Sequence, residues 1–476
     1  MKIIKPLHSL SIVLIAMLVS SCVPELSVRN TKQSIPNQFN TDSDTTNISN
    51  IQWGQHFDDP YLVALIDTAL QNNQELNIFM REMEMLRNEV QIRKGEYLPF
   101  VDMGAGAGLD KPGKYTRAGA VEESLEIREG QDFPEPLGDF MVGAYASWEV
   151  DVWKKLRTAK KSALTRYLAS IEGRNFLITN LVSEIARAYY ELLALDRQLA
   201  IVQQNIGIQS NALQVVKVQK QSAKVTKLAV KRFEAQLAGT RSLRFDIQQK
   251  IIEVENEINF LVGRFPQHIQ RAPDSFEKAI PDSIQAGLPS QLLENRPDIR
   301  QAELQLAASK LDVQVAKANF YPRLEINAGL GYQAFNPKYL LETPESLMYG
   351  VAGDIVSPLV NRNAIKAFYK NANERQKQAA IAYEQTILNA YVEVANQIAN
   401  IQNLRQSYRF KFEQVQRLNE SIDISNNLFR SARADYMEVL LTQEDALETE
   451  FELVETKVAQ LQAWVSIYRA LGGGWK

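Results

Sequence analysis

The chain has 476 residues, of which 45% are hydrophobic, 23% charged and 9% aromatic, the composition of an ordered, folded protein. Its 53 Lys and Arg stand against 56 Asp and Glu, so it lacks the basic excess of a nucleic-acid binder. Three His and one Cys all but exclude a Cys-ligated zinc site, a disulfide framework and a Cys–His nucleophilic pair inside the fold.

The first residues read as an address. Met1 to Lys5 is short and basic, and Leu7 to Val19 is an apolar run too short to span a bilayer but long enough for a signal-peptide core. The run ends Val19-Ser20-Ser21-Cys22, the form of a bacterial lipoprotein cleavage site, which would leave Cys22 as the first mature residue and the point of lipid attachment. An ordinary signal peptide with a chance Cys is the alternative, but the chain's single Cys lies at that spot. Several acyl chains hold a membrane stably, at about 0.8 kcal/mol per buried CH₂. Val23 follows, not Asp, so the usual inner-membrane retention signal is missing. Residues Arg29 to Asn50 are polar and without period, which suits a tether. Beyond residue 22 no uncharged apolar run reaches 18 residues, so no bilayer-spanning helix is expected.

Short segments of period two follow, alternating with very long helices. Val101, Met103, Ala105, Ala107 and Leu109 alternate with Asp102 and the glycines Gly104, Gly106 and Gly108. Those glycines resemble a dinucleotide fingerprint only superficially: no helix follows, and they share one strand face. A long polar loop, Lys111 to Gly138, leads to Phe140, Val142, Ala144, Ala146, Trp148, Val150 and Val152, which alternate with small or polar residues. From Lys154 to Ala223 a helix of 70 residues is expected, about 105 Å long. Its apolar seam, Leu181, Ile185, Ala188, Leu192, Leu195 and onward to Val216, steps by four and three, the coiled-coil signature. Phe233 to Leu261 supplies the partner helix. The pattern then repeats: strands from Leu324 to Tyr332 and from Tyr349 to Ile355, a seam from Ile387 to Phe429, and a partner from Leu440 to Tyr468.

The repeat is a duplication. Tyr97-Leu98-Pro99 and Phe320-Tyr321-Pro322 each open a strand, where a Pro without N–H costs least. The strand exits, Val152 and Pro358, are offset by 206 residues, and the hairpin tips, Ala223 and Ala432, by 209. Four strands of bilayer length are too few for a sandwich, and an open sheet cannot face lipid, so they must close into a barrel with other copies. The expected organisation is a signal peptide at 1–21, an acylated tether at 22–55, a first repeat at 56–265 with strands near 98–109 and 139–152, and a second at 266–476 with strands near 322–335 and 347–357.

Glu294-Asn295-Arg296-Pro297-Asp298-Ile299-Arg300-Gln301-Ala302-Glu303, the run to Ala318-Asn319-Phe320-Tyr321-Pro322 and the terminal Ala470-Leu471-Gly472-Gly473-Gly474-Trp475 resemble the TolC family of outer-membrane factors, within it the lipid-anchored efflux subgroup. The resemblance covers nearly all of the mature chain. It implies a mainly α protein with a β-barrel part, a homotrimer whose protomers each give four strands to a twelve-stranded outer-membrane barrel, and a periplasmic helical barrel. It also implies a periplasmic adaptor and an inner-membrane pump as partners, and no cofactor or metal.

By that resemblance the hairpin tips meet the adaptor. The contact candidates are Ala223, Lys224 and Thr226 on the first tip and Ala432, Arg433 and Asp435 on the second. Both tips carry Ala where the family usually has Gly. The closed aperture falls by position on Met437, Glu438 and Leu441, with Leu441 standing where an Asp is common. If the apolar strand faces meet lipid, Asp102, Glu149, Asp151, Glu325 and Asp354 point into the lumen, with no Lys or Arg expected on the same faces. Arg296-Pro297-Asp298 reads as a helix start, with Pro in the first turn and Asp beside unpaired N–H groups; a catalytic reading of the pair is weaker. The leading function is a passive efflux conduit in the outer membrane. The alternatives are the exit duct of a type I protein-secretion system, a periplasmic coiled-coil scaffold, which the amphipathic strands oppose, and an enzyme, which the scarcity of His and of nucleophile patterns opposes.

Overall fold

The computed structural model describes residues 23–31, 35–39, 47–277, 286–358, 362–431 and 433–475. The signal peptide, Cys22 and Ala432 lie outside the described residues. The elements run α1 (Trp53–His56), α2 (Pro60–Asn72), α3 (Gln74–Tyr97), β1 (Phe100–Asp110), α4 (Arg117–Ser124), β2 (Glu126–Arg128), β3 (Gln131–Asp132), β4 (Leu137–Val150), α5 (Lys155–Gln221), α6 (Lys227–Leu261), α7 (Leu292–Asn295), α8 (Pro297–Ala318), β5 (Arg323–Ala334), β6 (Leu347–Val356), α9 (Asn363–Arg430) and α10 (Tyr436–Ala470). No helix among the described residues is long and apolar enough to cross a membrane.

Contacts divide the chain into two units, and each draws on both halves of the sequence. One holds Glu84–Leu168, Leu304–Ala380 and the described part of Met1–Asn30; the other holds Ala169–Glu303, the described residues from Ile381 onward and those of Thr31–Met83.

The first unit is built on an antiparallel sheet in the order β1-β4-β5-β6. Its register explains the alternation in the sequence. Asp102 stands opposite Tyr145, and Tyr145 opposite Gly329; Glu149 stands opposite Glu325, and Glu325 opposite Asp354. Residues directly opposite share a face. All four polar sets therefore lie on one face, and Val101, Met103, Ala144, Trp148, Ile326, Leu330, Val351 and Ile355 lie on the other. The outer edges of β1 and β6 have no partner strand among the described residues. The loop from β1 to β4 carries α4 and the small β2–β3 hairpin. Beneath the sheet in sequence terms, Val313, Ala316, Phe320, Tyr369 and Ala372 form an apolar cluster, with Val23 and Leu26 packed against it. The segment that follows Cys22 is held further by Arg29, whose backbone N–H donates to Gln376 Oε1 and whose carbonyl accepts from Gln376 Nε2, both at 3.1 Å.

The exit from β4 corrects one expectation. Asp151 is not an exposed acid of the sheet face: it is 5% exposed, and its carboxylate accepts from the backbone N–H groups of Leu156 at 3.0 Å and Arg157 at 2.9 Å. The first turn of α5 has free N–H groups, and Asp151 satisfies two of them while pairing with the Arg157 side chain at 3.1 Å. The chain reaches that geometry through Lys154, which takes a left-handed φ of 60°.

In the second unit the α5 seam is core: Ile185, Leu192, Val202 and Val216 are fully buried. Asp59 caps α2 by accepting from Tyr61 N–H, and its other oxygen accepts the Tyr189 hydroxyl at 2.7 Å. Arg296 ties the two sequence motifs together. It forks onto Asp298 at 3.0 and 2.8 Å, donates to Glu393 at 2.8 Å and to the Ala470 carbonyl at 2.7 Å. Burial opposes its charge, but the Asp298 and Glu393 carboxylates outweigh burial and raise its pKa. Pro297 is the first residue of α8, as its fixed φ suits. Gly472 has φ +90°, and a Cβ there would lie 2.5 Å from the Asn295 carbonyl oxygen. The Arg-Pro-Asp and Gly-Gly-Gly-Trp motifs are thus two sides of one packed joint, bridged by Trp475 Nε1, which donates to the Asn295 carbonyl at 3.3 Å and to its own motif's Gly472 carbonyl at 2.9 Å.

Candidate functional site

Two places gather the residues singled out in the sequence: the polar face of the sheet and the hairpin tips.

On the sheet, Glu149, Glu325 and Asp354 stand side by side across three strands. Like charges directly opposite repel, and partners moderate this row. Lys155 reaches Glu149 at 2.7 Å, Arg323 pairs with Glu325 at 2.9 Å, and Asn327 donates to Asp354 at 3.5 Å. Arg323 lies on the same face two residues from Glu325, so the expectation that no Lys or Arg shares the acidic faces is wrong. It fails because Arg323 follows Pro322 directly and is the first strand residue. Asp102 has no hydrogen bond or ion pair among the described residues. Higher on the same face, Asp139 accepts from Gln333 at 2.7 Å. A recess of ≈450 Å³ on this side is lined by residues of all four strands, from Asp102 through Tyr145 and Asn327 to Ala352. Seven of the lining residues, Asp102, Tyr145, Ser147, Asn327, Gly329, Gly350 and Ala352, lie on the polar face, so the hollow opens on that side of the sheet.

At the tips, α5 ends in two bonds: Ala223 N–H to the Lys220 carbonyl and Lys224 N–H to the Gln219 carbonyl, both 3.0 Å. This is the Schellman pattern, which places Ala223 in the left-handed region at φ +58°. Arg433 N–H repeats the longer closure on the second tip, to the Leu428 carbonyl at 2.9 Å. Thr226 caps α6 by accepting from Ala229 N–H at 3.3 Å, and Asp435 stands at the matching place before α10, without a side-chain cap. Lys224, Thr226, Arg433 and Asp435 are all exposed.

The three aperture candidates do not share one environment. Met437 is half-buried against a cluster that includes Phe233, Phe429, Val439 and Leu440, and Arg232 Nη1 lies 3.2 Å from its sulfur. Glu438 and Leu441, one turn apart, are exposed. Within that bundle Gln209 and Gln443 are 1% exposed, and neither amide has a hydrogen-bond partner. Sequence periodicity had placed Gln209 in the seam without marking it as a buried polar group. Tyr145, beside Gly104 and Gly329 on the neighbouring strands, is not singled out by the alternation either, because Phe100, Met141 and Met348 are large residues on the same face. Among the described residues no group of three His, Cys, Asp or Glu could hold a metal ion.

The model of the outer membrane efflux protein family matches residues 65–264 and 288–473. The pyoverdine export outer membrane protein OpmQ of Pseudomonas aeruginosa is 27% identical over 99% of this chain and 98% of its own. The cation efflux system protein CusC of Escherichia coli is 25% identical over 97% of this chain and 98% of its own. The open state of the MtrE outer membrane channel of Neisseria gonorrhoeae superposes with a TM-score of 0.82 at 21% identity, covering 96% of this chain and 99% of that one, which establishes the fold. The relatives are export and efflux proteins, and the protein-secretion alternative is not favoured. The chain belongs to the outer membrane efflux protein family: it is an outer-membrane efflux channel, a trimer that works with a periplasmic adaptor and an inner-membrane pump.

Proposed function

We propose that the trimer is a passive exit duct for small molecules, with an acidic barrel wall, a gate at the base of α10 and a lipid anchor at Cys22, and with no catalytic step of its own. The observation that carries this reading is the sheet: one face apolar, the other polar and acidic, both edges unpaired among the described residues. Three copies joined edge to edge leave no strand end facing lipid and bring the polar faces together around water. Asp102, Glu149, Glu325 and Asp354 then repeat threefold. Two of the four are offset by Lys155 and Arg323, and Asp102 and Asp354 carry the excess negative potential that enriches cations.

Exposed Glu438 and Leu441 would form the aperture ring, with Met437 holding α10 against its neighbour rather than lining the pore. Ala223, Lys224, Thr226, Arg433 and Asp435, exposed in the two turns, would meet the adaptor, together with Ala432, which lies outside the described residues. Recordings of purified trimers in planar bilayers test the duct. Cations should carry most of the current, Asp102→Lys with Asp354→Lys should lower that preference several-fold, and Glu438→Ala should change the closed-state conductance. Anion preference in the unmutated channel sinks the acidic wall, and an unaltered Glu438→Ala conductance removes the gate from α10. Labelled fatty acid should enter the protein and not Cys22→Ser; label in both sinks the anchor.

A further inference from the structure

The middle of the polar sheet face is unusually bare. Gly104 stands opposite Gly143, and Gly143 opposite Gly331, so three adjacent strands carry no side chain at one level. Larger residues border it: Tyr145 and Met141 on either side of Gly143 along β4, and Met348 opposite Gly331 on β6. The Tyr145 ring lies across the strands: a Cβ at Gly104 would sit 3.5 Å from Tyr145 Cε2, and one at Gly329 would sit 3.2 Å from Tyr145 Cδ1. A Cβ at Gly104 would only touch the ring, whereas one at Gly329 would crowd it, so Gly329 is the glycine that leaves the ring its room. Its hydroxyl is covered and has no hydrogen-bond partner, so it is the ring that lines the recess.

Four further features surround that ring within the ≈450 Å³ recess: the Asp102 carboxylate, the Ser147 hydroxyl, the Asn327 amide and the floor at Gly329 and Gly350. Asp102 has no cation partner among the described residues. The nearest basic groups on this face, Lys155 and Arg323, are already paired with Glu149 and Glu325. An aromatic face attracts a cation placed within about 6 Å of its centre, most strongly when the ion is weakly hydrated. A flat ring also stacks on it. An unpaired carboxylate beside the ring adds charge selection, and the hydroxyl and amide add hydrogen bonds. The volume suits a drug-sized solute.

We infer that this recess is a transit site for planar organic cations, present three times in the trimer. The inference rests on the proposal that the polar face is the lumen, and it names the class of solute that wall retains. The site is open on one side, as a duct requires: a solute must bind well enough to enter and weakly enough to leave. Gly329 acts twice, as floor of the recess and as the position whose missing side chain leaves the Tyr145 ring its place.

Ethidium, a planar fluorescent cation, is the probe, measured by anisotropy on detergent-solubilised trimers. Tyr145→Leu should weaken binding roughly tenfold and Asp102→Asn roughly fivefold, while Tyr145→Phe should stay within twofold because the hydroxyl has no partner. Benzyltrimethylammonium should displace ethidium, and benzoate should not. Equal ethidium affinity in the unmutated protein, Tyr145→Leu and Asp102→Asn overturns the site. A second measurement separates this from failure of the lumen reading. A charged, water-soluble maleimide should label Ser147→Cys and spare Ala146→Cys, which lies on the apolar face. Labelling of Ser147→Cys with unchanged ethidium binding sinks the transit site alone; labelling of Ala146→Cys instead sinks the lumen assignment and the site with it.

Discussion

Helices α5 and α9 are duplicates, 67 and 68 residues long, each following a strand pair and each ending at a hairpin tip. Their sequences carry the same four-three rhythm, yet their seams meet different surroundings. Along α5, Ile185, Leu192, Val202 and Val216 are fully buried within the chain. Along α9 the seam is buried at Val394, Ile398 and Ile401, opens at Phe412, which is 46% exposed, and closes again at Phe429 in the cluster under the tips. The first copy makes core along its length, and the second leaves part of its apolar seam exposed in the protomer. A period of 3.5 residues states that a helix will pack; it does not state against which partner.

The comparison breaks most sharply at Leu192. Leu192→Ala removes a fully buried side chain and should lower the stability of the fold by about 2–5 kcal/mol. Phe412→Ala should leave the folded protomer nearly intact and weaken the trimer. Thermal unfolding followed with trimer content on semi-native gels distinguishes them: equal losses of folded protomer would show that α9 is core as well.

The return helix α10 sharpens it through His56, which stacks on Tyr468 with ring centres 4.0 Å apart and planes 11° from parallel. Burial lowers the His56 pKa from 6.5 to about 4, against a smaller opposing pull from Asp58. The folded protein keeps the ring neutral while the unfolded chain takes up a proton below pH 6.5. Stability should therefore fall as the pH drops from 6.5 to about 4, by at most ~3 kcal/mol per protomer, and level off below that. His56→Phe should flatten this part of the profile in chemical denaturation; an unchanged slope assigns the loss to other groups.

The smallest effect lies at the first tip. Ala223 holds a φ of +58°, which costs an L-residue about 1 kcal/mol relative to Gly. Ala223→Gly relaxes that strain but frees the unfolded chain, so the net gain should be no more than about 0.5 kcal/mol. A loss of stability in urea titrations would mean that the methyl group packs against something.

Much of the site was legible because strands obey a strict two-residue period. Once Asp102, Glu325 and Asp354 alternate with apolar neighbours, register alone puts them on one face. The failures came where an element ends. Asp151 continues the alternation on paper, but one residue past the strand the helix N-terminus claims its carboxylate. Arg323 is the first residue of its strand, directly after Pro322, and joins the acidic face only because β5 starts there. Met437 sits at the start of α10, where position in the family pattern did not reveal which side of the helix meets the cluster under the tips.

By itself the sequence determined the four amphipathic strands, the two long helical hairpins, their duplication and the need for more than one copy, because periodicity and length follow from backbone geometry and from the cost of an open edge in lipid. Only the tertiary structure decided which acids remain unpaired, that Tyr145 sits against Gly329, that Arg296 joins two distant motifs and that the α5 seam stays buried where the α9 seam opens at Phe412. Those outcomes depend on which side chains from remote segments arrive within a few ångströms, and no local pattern carries that information.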